Sequence, residues 1–404
     1  MRALIIGAGI AGLVTARQLG LAGWDVDVLE QSPGPRDAGY MMDFFGPGVE
    51  ASERIGLYPR LAEAAYPVQA AEYVDAAGKA TARLDYHRFS RAAGGKVLTL
   101  LRPDMERAAL GALEDVPAGR VRVHYSRRPT AYRDEEGAVS VELGGNHPSG
   151  PGTSDTRPSV LEGDVLIGAD GIHSAVRGAF FGPEARFLRP LGMHAAAYIA
   201  DEPGLAARLG RRFVLTDSLD RTVGLYGLRT GEVATFMVCR DRGSAAEGLD
   251  LDTPTRLRRN FAGLGPEVDR TLELCPPDPY DDVVAQTVLP RWQRGRTILV
   301  GDACAAVSLV AGQGGSLAIA GGALLGDALG AVDAPEQVPA VLAGFEDRWR
   351  PVIEAAQAAG RRAVWMFLPE TLRQQRVRRW VLRAATLPIV NTIVARQIVK
   401  SIAS

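Results

Sequence analysis

Cysteine is scarce in this chain: Cys239, Cys275 and Cys304 stand far apart in 404 residues, with no CxxC pair and no histidine at ligand spacing. That excludes a disulfide framework and a structural zinc site, so no metal is expected, and the thiols read as reduced groups of a cytoplasmic protein. Charge of one sign is lacking too. Lys and Arg number 46 against 47 Asp and Glu, a net charge of −1, so no global field points to nucleic acid. Long apolar runs are absent as well: residues 297–329 are greasy, but Asp302, Gln313 and several glycines interrupt them, which a membrane-spanning helix tolerates poorly. The first strand-like run begins at Leu4, leaving no room for a signal peptide.

What is present is concentrated in the first thirty residues. Leu4-Ile5-Ile6 reads as a buried strand that breaks into Gly7-Ala8-Gly9-Ile10-Ala11-Gly12, after which Leu13, Ala16 and Leu19 recur at helical spacing. Gly7 permits a sharp turn, Gly9 presents no Cβ to a pyrophosphate, and Gly12 allows close packing of helix on strand. Phosphates would then meet free N–H groups at a helix start. A second strand, Asp25 to Leu29, ends at Glu30, eighteen residues past Gly12, where a carboxylate accepts both ribose hydroxyls of an adenosine. An acid here argues against a 2′-phosphate at this site.

Along the chain, residues 31–39 form a Pro- and Gly-rich loop, Tyr40 to Phe45 is bulky and apolar, and 48–66 reads as helical. Short strands follow at 71–75 and 97–100, then a helix opened by Leu101-Arg102-Pro103-Asp104, with Pro103 in its first turn. Residues 121–125, 139–143 and 161–169 read as strands, and 145–159 as a surface loop. Residues 187–240 alternate apolar and polar in strand-length pieces, which predicts a half-exposed antiparallel sheet. A helix is predicted over 257–264, a last buried strand at 297–300, and helices after Ser316. The fold class is therefore α/β: a Rossmann-type dinucleotide-binding unit over 1–69, 98–186 and 279–330, interrupted by an antiparallel β-sheet substrate unit over 70–97 and 187–278, with C-terminal helices over 331–404.

Two further stretches repeat the strand-to-acid arrangement. Residues 165–177 run from a buried strand into Gly168-Ala169-Asp170-Gly171, then Ser174 and Arg177 on a helix; a plain capping aspartate is the bland alternative. Residues 297–300 deliver Gly301-Asp302-Ala303, and Gly312-Gln313-Gly314-Gly315 opens a helix ten residues later. A strand-end aspartate suits a ribityl hydroxyl, and bare N–H groups at a helix start suit negative charge on a reduced ring.

With GAGIAG and Glu30, GADGIHSAVR at 168–177, and GDA with GQG at 301–314, the chain resembles the group A flavin monooxygenases of the para-hydroxybenzoate hydroxylase type, which include tetracycline-inactivating enzymes and polyketide hydroxylases. The resemblance covers roughly residues 1–330. It implies non-covalent FAD, with NAD(P)H as a transient co-substrate. Gly7, Gly9, Ile10, Ala11, Gly12, Glu30, Gln31 and Arg36 would hold the AMP and pyrophosphate end, joined by Arg102. Asp302 would bind the pyrophosphate-ribityl region, and Gly312, Gly314 and Gly315 would face the pyrimidine edge of the ring. Asp170 would sit between FAD and the nicotinamide. No second GxGxxG unit is present, consistent with fleeting NAD(P)H binding.

The chain departs from the family after GDA: Ala305 replaces the usual histidine, Leu309 the proline near the flavin, and Ser316 the asparagine after GQG. These changes concern the oxygen-activation pocket, since FAD binding rests on backbone groups and Asp302. The activity implied is hydroxylation of an aromatic or polycyclic small molecule, with O₂ and NAD(P)H, through a flavin C4a-hydroperoxide. A non-oxygenating flavoenzyme, such as a prenyl-chain reductase, is the alternative. No nucleophilic side chain is required.

Phe213, Tyr226 and Phe236 are the candidate substrate walls, each equally suited to ordinary core. Met41 and Met42 either line the flavin ring or fill core. His194 is the one candidate base, its imidazole titrating near neutrality, against a structural histidine as the bland reading. Arg373, Arg376, Arg378, Arg379 and Arg383 surround Val377, Trp380 and Val381, predicting a helix packed across the FAD unit with solvated arginines, or one lying on a membrane surface. The chain is read as a monomer or homodimer.

Overall fold

The computed structural model describes residues 1–36, 39–92, 95–135, 137–144, 159–241, 251–308 and 312–384. Leu309 and most of the predicted 145–159 loop lie outside these.

The Arg2–Ile6 strand is central to a six-stranded sheet. It pairs in parallel with Asp25–Leu29 on one side and Val165–Gly168 on the other; Val121–His124 and Thr297–Leu299 extend the sheet in parallel, and Gln293–Arg294 closes one edge antiparallel. The strands are near-continuous apolar runs because both faces are covered. Leu4, Ile5, Leu13 and Leu19 are fully buried, each contributing roughly 1.5–3 kcal/mol relative to exposure. The Ile10–Leu21 and Gly314–Gly330 helices approach closely, since a Cβ at Gly322 would stand 2.8 Å from the Ala11 carbonyl oxygen. All three acid-bearing motifs thus end at the carboxyl edge of one parallel sheet, where such sheets bind ligands.

A seven-stranded sheet runs in the order Tyr280–Thr287, Leu188–Ala200, Val233–Arg240, Arg221–Gly227, Arg212–Thr216, Ala70–Val74, Ala80–Asp85, antiparallel except where Arg212–Thr216 meets Ala70–Val74. Two sequence expectations need correction here. The Tyr280–Thr287 strand was assigned to the cofactor unit, but it pairs with Leu188–Ala200; Asp281 and Asp282 hide its apolar pattern. The sheet is also not half-exposed. Helices Pro203–Leu209, Thr253–Phe261 and Pro266–Glu273 cover one face, and the other packs towards Tyr40, Met41 and Leu101.

Local chemistry explains the smaller differences. The predicted 48–66 helix is two, Pro47–Arg54 and Tyr58–Ala64, broken at Gly56 with φ of 75°. The predicted 257–264 helix is Thr253–Phe261, starting earlier with Pro254 in its first turn, and a second, unpredicted helix, Pro266–Glu273, follows it. Met41–Phe44 forms a two-stranded ribbon with Leu98–Leu101.

The Leu372–Ala384 helix does not lie across the cofactor unit. It packs on the Ala80–Asp85 edge of the seven-stranded sheet, and its arginines are not all solvated. Asp217, buried just past the Arg212–Thr216 strand, requires cations: Arg378 meets it at 2.5 Å, Arg379 also pairs with it, and Gln375 donates to its carboxylate at 3.1 Å. Burial works against the Asp217 charge, but these partners and Thr81 hold its carboxyl below the usual range.

Candidate functional site

The glycine turn is built by contacts that only glycine permits. Gly7 has a φ of 104°, and a Cβ there would stand 2.4 Å from the Ala169 carbonyl oxygen; at Gly12 a Cβ would be 2.1 Å from the Gly7 carbonyl oxygen. Gly9 differs: a Cβ there meets nothing within 4 Å, so the bare start of the Ile10–Leu21 helix opens onto a cleft. Glu30 borders the same cleft, its carboxylate accepting from the Ala8 N–H at 2.9 Å and the Ser32 N–H at 2.8 Å. The cleft has a volume of about 290 Å³ and is also lined by Gln31, Arg36, Arg102, Arg127, Arg128, Tyr132, Asp170 and His173. Ile10, Ala11 and Gly12 are buried in the helix start and do not line the cleft.

Asp170 performs the capping job of its bland reading while lining the cleft. Its carboxylate accepts from the Ser174 hydroxyl at 2.5 Å and the Val176 N–H at 3.1 Å, and burial raises its pKa despite these donors. Arg177, fully buried, donates to the Ala303 carbonyl at 2.9 Å, the Ile172 carbonyl at 2.6 Å and Glu184 at 2.9 Å, tying the second motif to the third.

Asp302 is exposed and does not line this cleft, yet it is surrounded by enough protein for burial to raise its carboxyl; Arg102, which does line the cleft, opposes that shift. Burial pulls on the Arg102 guanidinium in the neutral direction, but Glu106, 3.1 Å away, with Tyr40, Asp302 and Tyr280, raises it overall. Arg102, Tyr40, Tyr280 and Asp302 are therefore one electrostatic neighbourhood. Gly301 abuts the first helix, where its Cβ would lie 2.9 Å from that of Ala11. Gly312 has a φ of 66°, Gly314 faces open space, and a Cβ on Gly315 would stand 2.8 Å from the Met42 sulfur. Met42 is thus packing under the helix start. Ser316, in the family's asparagine position, accepts from the Gly48 N–H at 2.9 Å and donates to the Phe45 carbonyl at 2.6 Å. Ala305 is buried.

Phe213, Tyr226 and Phe236 lie on one face of the seven-stranded sheet, that towards the cofactor unit, but in two groups. Tyr226 and Phe213 pack with Met41, Tyr66 and Leu101. Phe236 has its ring 5.3 Å from that of Tyr40 and 6.2 Å from Phe367, and Tyr280 stands 6.4 Å from Tyr40. His194 needs correction as the candidate base. Its neighbours Met193 and Ala195 join Phe236, so period-2 alternation sends His194 to the opposite face. There it borders a separate cavity of about 470 Å³ with Cys239, Asp241 and Asn260.

Sequence reasoning missed Tyr280, Phe367 and Arg127. Arg127 has a buried Nη1 without a hydrogen-bond partner in the cleft wall; its signal is the basic pair Arg127-Arg128, separated by two residues from the Val121–His124 strand. These residues fit a dinucleotide: backbone donors at Gly9, an acid for the ribose, a buried guanidinium nitrogen without a partner, and a second acid beside Arg102.

A family model described as an FAD binding domain matches residues 1–359. An uncharacterized protein of Mycobacterium tuberculosis is 31% identical over 330 residues, 80% of this chain and 83% of its own length. A flavin-dependent monooxygenase from an unknown prokaryotic organism is 27% identical over 375 residues, 90% of this chain and 88% of its own. Among solved structures, Klebsiella pneumoniae HpxO complexed with FAD and uric acid superimposes with a TM-score of 0.77 at 21% identity, over 100% of this chain and 97% of that one.

Proposed function

The chain belongs to the FAD binding domain family of the group A flavin monooxygenases, and from that premise we propose that it hydroxylates an aromatic or polycyclic small molecule, consuming NAD(P)H and O₂. Bound FAD supplies the redox chemistry and the activation of oxygen. The protein's part is to bind, orient and keep dry. Gly7 to Gly12 present N–H groups to the pyrophosphate, Glu30 takes the ribose, and Arg36, Arg102 and Arg127 balance the phosphates. Asp302 and the Gly312–Gly315 turn hold the ribityl chain and pyrimidine edge, and Asp170 stiffens the entrance used by the nicotinamide.

Substrate sits between the cofactor unit and the seven-stranded sheet. The Tyr40–Phe236–Tyr280–Phe367 group supports this reading, because it sets apolar ring faces beside Arg102 and Asp302 without placing a nucleophile there. Stacking of rings is worth about 0.5–1.5 kcal/mol per pair beyond area burial, which favours a flat substrate. The domain division follows, with residues 280–287 reassigned to the substrate sheet, and the protein acts in the cytoplasm on a small molecule of specialised metabolism or detoxification.

The single observation that carries this reading is the open Gly9 cradle facing Glu30 across one cleft. The test is product analysis with NAD(P)H and a panel of aromatic compounds under air and under argon. Hydroxylated product under air alone supports it; product formed equally without O₂ would replace it with a non-oxygenating flavin reaction.

A further inference from the structure

Six large apolar side chains stand exposed among the described residues, and three belong to the Leu372–Ala384 helix: Leu372 is 59% exposed, Val377 49% and Trp380 71%. The helix is inverted relative to an ordinary surface helix. It turns Gln375 and Arg378 inward, against buried Asp217, and leaves apolar groups outside. At about 100° per residue, Leu372, Arg373, Arg376, Val377, Trp380 and Arg383 fall within an arc of roughly 140°.

Arg373 and Arg376 have no ion-pair partner among the described residues, and Arg383 donates to the Thr81 carbonyl at 3.0 Å. Sequence charge sharpens the asymmetry. After Glu370 the chain contains no Asp or Glu, yet it carries six arginines and Lys400, in a protein whose net charge is −1. A tryptophan flanked by aliphatic side chains and arginines on one face is the composition of a helix lying in a lipid interface, where the ring seats at headgroup level and the cations meet anionic lipid.

We propose that this face docks the protein peripherally on an anionic lipid bilayer. Docking is in the plane of the surface, since no helix among the described residues is long and apolar enough to cross a membrane. Gln375, Arg378 and Arg379 hold the helix to Asp217 on its sheet, so its outer face is presented without prior ordering. The proposal is independent of the catalytic reading.

The test is co-sedimentation of the full chain with vesicles of phosphatidylglycerol and, separately, of phosphatidylcholine, with tryptophan fluorescence recorded. The protein is expected to pellet with phosphatidylglycerol, to be released by high salt, and to show a blue shift that Trp380→Phe removes. Arg373→Gln with Arg376→Gln should weaken binding on the order of thirtyfold while leaving thermal stability unchanged, because both side chains are exposed. Equal affinity for the two lipids, or undiminished binding by these variants, would overturn the proposal. So would a concentration-dependent dimer lost in Trp380→Ser, which would make the face an interface between copies of this chain.

Discussion

Arg177 and Ala303 are joined by a 2.9 Å hydrogen bond that crosses from the Asp170 motif to the Asp302 motif. The guanidinium is wholly buried and shared with Ile172 and Glu184, so its removal strands the Ala303 and Ile172 carbonyls, while Glu184 keeps solvent and His173. Arg177→Met is expected to cost about 1–3 kcal/mol through the stranded carbonyls, read as a lower urea midpoint, and to loosen both acids together. Unchanged stability would show the staple to be ornamental.

Glu30 is held by two backbone N–H groups at the cleft. Glu30→Gln keeps the shape but loses the charge that strengthens hydrogen bonds from ribose hydroxyls. Affinity for FAD, measured by calorimetry, should fall by about 1.5–3 kcal/mol, and the apoprotein should melt slightly lower, because the amide nitrogen cannot accept from one of the two backbone N–H groups. Equal affinity would remove Glu30 from the ribose site.

How much of this was readable in the chain depends on how local each feature is. The Gly7–Gly12 turn and Glu30 were legible because strand, turn, helix and strand follow each other without a break. Arg102 was legible only through resemblance, since Leu-Arg-Pro-Asp by itself announces a helix start. Tyr40, Tyr280 and Phe367 were not, being brought together from three distant segments by sheet packing. Alternation along 187–240 predicts two faces, but it cannot say which face of a sheet meets the cofactor unit, so His194 could not be placed from the sequence. Likewise the sequence pattern gives Arg378 and Arg379 as solvent groups, because Asp217, which they pair with, lies some 160 residues earlier in the chain.

His194 lies on the far face from Phe236. His194→Gln should therefore leave kcat/KM within about twofold, well under the hundredfold or more that loss of a general base brings. Phe236→Ala should instead raise the fraction of NAD(P)H consumed without product, and cost about 3–5 kcal/mol of stability. The reverse pattern would move the substrate to the other face.

His173 bridges the two units, with Nδ1 3.0 Å from Glu184 and Nε2 3.0 Å from Asp282 on the seven-stranded sheet. Burial pushes its pKa down, but Glu184 and Asp282 prevail and the net shift is upward. A raised folded-state value means the stabilisation is complete below the ordinary value of about 6.5 and is lost as pH climbs through the folded value. The stability difference between wild type and His173→Gln, from urea melts, should shrink as pH rises above neutrality. A difference independent of pH would contradict the ion pairs.

The most direct test of the central claim is titration of purified protein with FAD beside its Gly9→Val variant. A Cβ at Gly9 would meet no atom within 4 Å beyond its chain neighbours, so the variant should fold and melt close to wild type while its methyl groups intrude on the space required by the pyrophosphate. Wild type is expected to turn yellow and quench the fluorescence of stoichiometric FAD, and Gly9→Val to remain colourless at the same melting temperature. Equal FAD binding by both proteins, or none by wild type, would contradict the account.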